Sequence, residues 1–334
     1  MTETPSAKSV LGNRDFRLLL GGTALGQMLG PLQFLTQILW VQEHAPRDIW
    51  LILVALIGAS RGIGSLVFGL YGGALADRFD RRKLLVITQS LLVATTLIIG
   101  TVMLAGIQGP FAFGLFYLLT FLAAGLQAID APTRLSIVPD VLGADRVAAG
   151  IALNQAAGQL AMPMALFGMG FLVTGLGFGG AYIFSAIGHV VAIACLSLMA
   201  YQPDRSQHQT GGSGSYRFSH ALADIRAGLG YARGYPLVLW VILLLVAMMA
   251  LGFPATANLG PTWITTVIGV SVANVGYIAM TWGIGALFGA VAMARFANFE
   301  KRGRLIAFGA SLFAVSFVVF VAEPTVLNAT LGNL

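Results

Sequence analysis

Gly73-Ala74-Leu75-Ala76-Asp77-Arg78-Phe79-Asp80-Arg81-Arg82-Lys83 sets a dense, mostly basic cluster between two long apolar stretches. A tight turn between two membrane helices has this form, because the chain surfaces briefly and basic side chains hold it at one face of the bilayer. The rest of the sequence agrees. Hydrophobic residues make up 57% and charged residues only 10%, with a mean hydropathy of +0.84, whereas an average soluble domain is roughly 25% charged. Glycine, at 42 of 334 residues, suits helices that must approach closely in lipid. The single cysteine, Cys195, lies in an apolar run, which excludes a disulfide within the chain and a cysteine metal cluster.

About 20 residues cross roughly 30 Å of hydrocarbon. Nine segments meet that length: 16–41, 49–76, 84–107, 110–137, 147–174, 178–201, 236–256, 271–294 and 304–322. The first runs past Trp40, too long for a signal-peptide core, and is expected to be a retained helix. All Lys and Arg residues except Arg47 and Arg61 fall in 1–17, 77–83, 134–146, 202–235 and 295–304, which alternate with the other connections. The positive-inside bias therefore predicts a cytoplasmic N-terminus in a multi-pass protein of the plasma membrane, in a bacterium its inner membrane. The same distribution assigns the net charge of +6 to topology and not to nucleic acid.

The expected fold is an all-α polytopic bundle pair: a six-helix bundle over 1–201, a linker over 202–235 and an incomplete second bundle over 236–334. The linker opens with Thr210-Gly211-Gly212-Ser213-Gly214-Ser215. It then carries Phe218, Leu222, Ile225 and Leu229 at helical spacing, which reads either as a helix on the membrane surface or as a stiff connector packed on the bundle. Ala294-Arg295-Phe296-Ala297-Asn298-Phe299-Glu300-Lys301-Arg302 weakly repeats the turn after the second span, with Ala294 where Asp77 stands. Parallel repeats of this kind occur in secondary transporters. Twelve residues follow Ala322, about 18 Å as helix, so a tenth span is expected to be only partial.

Several polar residues interrupt the spans. Arg61 lies thirteen residues past Asp48, about 20 Å along a helix and hence near the bilayer centre. It reads either as a substrate or ion contact or as one half of a structural pair, Asp130 being the acid within the spans. Asp130 precedes Arg134 by four residues, the order that favours a pair within one helix; alternatively it is a carboxylate that carries protons. Gln27, Gly30, Gln33 and Gln37 recur at steps of three and four and are expected to share a polar face toward a central cavity, or to bond between helices. Asn154, Gln155, Thr281 and Trp282 are weaker cavity candidates, and His189 reads as hydrogen-bonded structure or as a proton relay. No phosphate-binding loop, metal-spaced cluster or serine elbow is present in the sequence, so neither a cofactor nor an enzymatic reaction is expected.

With Gly73, Asp77, Arg78, Arg81 and Arg82 in place between the second and third spans, the chain resembles the major facilitator superfamily. Asp80 stands where that family has its second glycine, a substitution expected to be tolerated because Asp also accepts unusual backbone angles. Asn13-Arg14-Asp15-Phe16-Arg17, and the run from Asp130-Ala131-Pro132-Thr133-Arg134 to Val138-Pro139, look similar to the enterobactin-exporter and macrolide-efflux branch. Met162-Pro163 replaces the Gly-Pro pair that marks its antiporters. The resemblance implies twelve helices in two bundles, so the chain is expected to be a fragment or a shortened product. It further implies export of a small amphipathic compound by alternating access, with protons as partner and the lipid bilayer as solvent. In the family the basic motif acts as a latch on the neighbouring bundle; its plain alternative is a topology anchor. A membrane protein without transport, or a sensor-like binding protein, is the competing expectation.

Overall fold

The computed structural model describes residues 10–107, 109–201, 226, 228, 230–252, 254–295 and 302–333. Apart from 226 and 228, the proposed surface helix at 218–229 lies outside these residues, as do 296–301 of the repeated basic turn and the side chains of 71–78.

Among the described residues eight helical runs are long and apolar enough to cross a membrane. The first four are α1 (Arg14–His44), α2 (Trp50–Arg78), α3 (Arg81–Leu104) and α4 (Pro110–Leu142). The fifth run, Val147–Leu198, is 52 residues long and breaks at Gly177, where φ is 70° and ψ is 176°. Only glycine occupies that region without a Cβ clash. The break divides the run into α5 (147–176) and α6 (178–198), where the sequence predicts two spans.

Capping fixes the basic turn. Asp80 has an ordinary φ of −55°, and its carboxylate accepts from the backbone N–H groups of Arg82 and Lys83. It therefore serves as the N-cap of α3, and no unusual backbone angle is needed there, contrary to the sequence expectation. Asn13 caps α1 in the same way through Phe16 N, and its amide also donates to Val141 O of α4.

The N-terminal bundle has apolar plugs at both ends. Trp40, Ile57, Ile99, Phe116 and Tyr182 fill the end away from the basic turn. Phe16, Leu85, Ile137, Leu142 and Leu196 fill the basic end. Glycines bring the helices together between them: a Cβ on Gly188 would run into Leu29, one on Gly100 into Ile183, and one on Gly179 into the backbone of Leu104. In lipid, such close backbone approach supplies the packing that hydrophobic exclusion supplies in water.

The second bundle begins with α7 (Pro236–Ala247), continues through two π-helical stretches, Met248–Gly252 and Pro254–Asn258, and ends in α8 (Leu259–Thr266). This helical run reaches Thr266, ten residues beyond the predicted end at 256. The π turns absorb Pro254, which has no N–H for an α-helical bond, and so the helix continues past 256. Then follow α9 (Val272–Arg295), α10 (Arg302–Ala322) and the short α11 (Val326–Asn333). The last packs against α10 and α9, with Gly332 against Phe320 and the Asn333 amide 3.4 Å from Ile278 O.

The two bundles meet at the end away from the basic turn. There Leu35 and Leu39 of α1, Leu166 and Met169 of α5, Ile264 of α8, Val275 of α9 and Phe320 of α10 share one core. A Cβ on Gly276 would strike Leu166 O, and one on Gly283 would strike Pro163, so α9 crosses α5 at backbone contact. Gln42 and Thr265 close the same end with hydrogen bonds of 2.7 and 3.1 Å.

Candidate functional site

Below this closure lies a cavity of about 1500 Å³ between the bundles, walled by α1 to α6 on one side and by the π-helical stretch, α8, α9, α10 and α11 on the other. It extends toward the basic end as far as Thr23, Leu135 and Gly309. Its wall is largely apolar, with Phe34, Leu166, Trp282, Phe313 and Phe320 among its residues. A Cβ placed on Gly26, Gly62 or Gly309 would meet nothing within 4 Å, which marks open space at three helices.

Of the residues singled out in the sequence, Gln27, Arg61, Asp130, Arg134 and Asn154 all border this cavity. Gln33 and Gln37 do not. Each three-residue step along a helix lags a full turn by about 60°, so two steps from Gln27 to Gln33 rotate the side chain by about 120°. The single stripe expected from α1 therefore splits. Gln27 and Gly30 face the cavity, while Gln33 and Gln37 point into the N-terminal bundle.

Asp130 and Arg134 are an ion pair one helical turn apart on α4, both buried. Arg134 Nε lies 2.5 Å from Asp130 Oδ2 and Nη2 3.4 Å from Oδ1. Thr88 Oγ1 and Gln89 Nε2 of α3 also donate to Oδ1, at 3.3 and 2.9 Å. Arg61 is thus not the partner of Asp130. Its guanidinium instead lies over the Phe34 ring at 5.1 Å. Arg134 Nη1 is buried without a hydrogen-bond partner and lies against Gly22, where a Cβ would stand 3.2 Å away.

From Asp130 the polar contacts run inward through the bundle. Because Gln89 Nε2 donates to the carboxylate, its Oε1 is left to face His189 Nδ1 at 2.9 Å and accepts from it. That places the imidazole proton on Nδ1, and Nε2 accepts from Gln33 Nε2 at 3.4 Å. Gln33 Nε2 also reaches Ser185 Oγ at 2.8 Å and Thr96 Oγ1 at 3.2 Å. One step further along α1, Gln37 donates to Tyr182 and Thr120. A polar belt therefore separates the two apolar plugs, and His189, Gln89 and Asp130 lie where it meets the cavity.

Arg81 and Arg82 lie apart from this site, at the basic end. Arg81 Nη1 donates to Asp140 Oδ2 and to Ser136 O, both at 2.9 Å. Arg82 donates to the carbonyls of Leu196, Ser197 and Tyr201, closing the C-terminal end of α6. Tyr201 OH donates to Asp140 at 2.6 Å, and burial together with that carboxylate pushes the phenol above its ordinary pKa and keeps it a donor. Both arginines therefore grip helices of their own bundle. Gly73, Asp77 and Arg78 lie in the stretch whose side chains are outside the described residues.

Sequence reading passed over Gln89, Gln127 and Asn258, all of which line the cavity. An isolated amide inside an apolar run was the available signal for the first two. Among the described residues no group of three or more His, Cys, Asp or Glu could hold a metal ion.

Residues 48–332 match the Major Facilitator Superfamily, and the chain belongs to that family of membrane transporters; it is not an enzyme. Its fold is that of solved superfamily transporters. A mutant form of the nucleoside transporter NupG superposes with a TM-score of 0.72 at 14% identity, covering 96% of this chain and 79% of the other. The D-xylose-proton symporter gives 0.67 at 13% identity, over 96% and 78%. A bacterial homolog of the human lysosomal transporter Spinster, inward-facing and unoccupied, gives 0.67 at 15% identity, over 96% and 73%. No curated protein matches the chain in sequence.

Proposed function

We infer that the protein is a secondary transporter that exports a small amphipathic compound by alternating access, driven by protons. The observation that carries this reading is the buried Asp130–Arg134 pair on the cavity wall, joined through Gln89 to His189. A charged pair at this depth is costly unless it serves the pathway. Asp130 is the one carboxylate among the described cavity-lining residues, so protonation there cancels the charge that holds Arg134 and lets the α3–α4 contact rearrange. Positive-inside reasoning puts the basic end in the cytoplasm of a bacterial inner membrane. A cavity closed at the opposite end is then inward-facing, ready to receive cytosolic substrate. The sequence features shared with the enterobactin-exporter and macrolide-efflux branch favour export over the symport named for the D-xylose structure.

The test is flux in proteoliposomes under an imposed pH gradient, with a compound library screened by substrate-dependent proton movement. Wild-type protein should show proton flux dependent on at least one compound, and Asp130→Asn should abolish the proton component while exchange of loaded compound persists. Proton-coupled flux undiminished in Asp130→Asn would refute the assignment.

A further inference from the structure

We propose that the transported compound is a monoanion, a carboxylate or similar group on an aromatic or alicyclic body, with its charge seated on Arg61. This rests on the transporter reading above and adds the sign of the cargo. Among the described lining residues the cavity holds two guanidiniums, Arg61 and Arg134, and one carboxylate, Asp130. Asp130 is fully engaged by Arg134, Thr88 and Gln89, so the wall keeps one uncompensated positive charge, on Arg61.

The surroundings of Arg61 are those of a binding group. Among the described residues no acid forms an ion pair with it and no acceptor takes a hydrogen bond from it; it lies over the face of Phe34 and interacts electrostatically with Tyr182, which leaves its N–H groups to a ligand acceptor. An unpaired charge near the bilayer centre is unfavourable, and a ligand anion removes that penalty in the bound state. Space is reserved beside it: Ala59, Gly62 and Ser65 flank Arg61 on the same cavity-facing side of α2, and a Cβ on Gly62 would meet nothing within 4 Å. Across the cavity, Trp282, Phe313 and Phe317 offer aromatic and apolar surface for the body of the ligand. A cation in the same place would meet Arg61 with no free carboxylate to offset it.

Equilibrium dialysis of the full chain in lipid nanodiscs, against naphthylacetate, naphthylacetamide and naphthylmethylammonium, separates charge from ring. Empty nanodiscs supply the blank. The anion should bind roughly 10- to 100-fold more tightly than the amide, the range expected of a hydrogen-bonded charge contact, and the cation should bind weakest. Arg61→Gln should erase the preference for the anion without changing amide binding, Arg61→Lys should retain part of it, and Gly62→Leu should weaken all three. Equal binding of the three probes, preference for the cation, binding of none, or an anion preference that survives in Arg61→Gln would each overturn the proposal. Anion binding undiminished in Gly62→Leu would place the probe elsewhere and overturn it too. If Arg61→Gln does not fold, the wild-type ranking and Arg61→Lys still decide. Wild-type protein that ranks the probes as stated but moves none of them, nor any compound, across proteoliposomes would refute transport and leave the charge assignment standing.

Discussion

Replacing Asp130 with Asn removes one charge and almost no volume from a buried group that accepts four hydrogen bonds. Asp130 accepts from Arg134 Nε at 2.5 Å, Gln89 Nε2 at 2.9 Å, Thr88 Oγ1 at 3.3 Å and Arg134 Nη2 at 3.4 Å. Breaking a buried ion pair by removing one partner costs about 3–5 kcal/mol, because the other charge is left without compensation. The cavity admits some water to this site and the Asn carbonyl keeps one acceptor, so about 3 kcal/mol is expected for Asp130→Asn. Arg134→Met alone should cost about 2–3 kcal/mol, since Gln89 and Thr88 still serve the carboxylate. The double variant removes both charges and should lose no more than the larger single. That leaves a coupling energy of about 2 kcal/mol or more, measured by unfolding each purified protein in mixed micelles with increasing dodecyl sulfate. Single effects that sum to the double within about 0.5 kcal/mol would mean that the two side chains do not act as a unit, and the reasoning about the site would fail with them.

Three further outcomes follow from the geometry. Gly276→Val pushes a side chain into Leu166 O and should part the bundles at their closed end; a cysteine placed at Thr265, in a background with Cys195 replaced by Ala, should label faster with a membrane-impermeant maleimide, and an unchanged rate would count against that closure. Arg82→Ala strips the carbonyls of Leu196, Ser197 and Tyr201 of their donor, so amide hydrogen exchange should rise at the end of α6 and stay level in α1; equal protection in both proteins would remove Arg82 as the cap. Gln33→Leu leaves His189, Ser185 and Thr96 short of a donor and should cost roughly 1–3 kcal/mol in the same micelle titration; no loss would show that the belt is held by other contacts.

Much of the fold was legible because its signals are long and local. Each span is about twenty apolar residues, and Gly177 sits where two spans abut; Asp80, expected to matter for its backbone angles, acts instead as an N-cap. The Asp130–Arg134 pair was open to view as an acid four residues ahead of a base. Other parts of the site were not legible, for physical reasons. The facing of Gln33 depends on a rotation that accumulates along α1. The partner of Arg61 was sought among acids, yet the structure gives it an aromatic face. The donors on Arg82 end on backbone carbonyls, which every residue has and which no pattern of side chains announces. The span expected to end at 256 runs on to Thr266, because two wide turns, which no apolar count announces, carry the helix past Pro254.

The single-residue elbow at Gly177 has a mechanical consequence. With one non-helical residue between them, α5 and α6 have little slack to separate, so they move as the two limbs of one arm. One limb of that arm bears on α9 of the other bundle through Leu166 and Pro163; the other carries His189 at mid-depth and ends in the carbonyls held by Arg82. Any rocking of one bundle against the other must then swing the imidazole and tug on the basic turn in the same stroke. Movement at the closed end and the state of the polar belt become one degree of freedom, and lengthening the elbow by a few glycines would uncouple them.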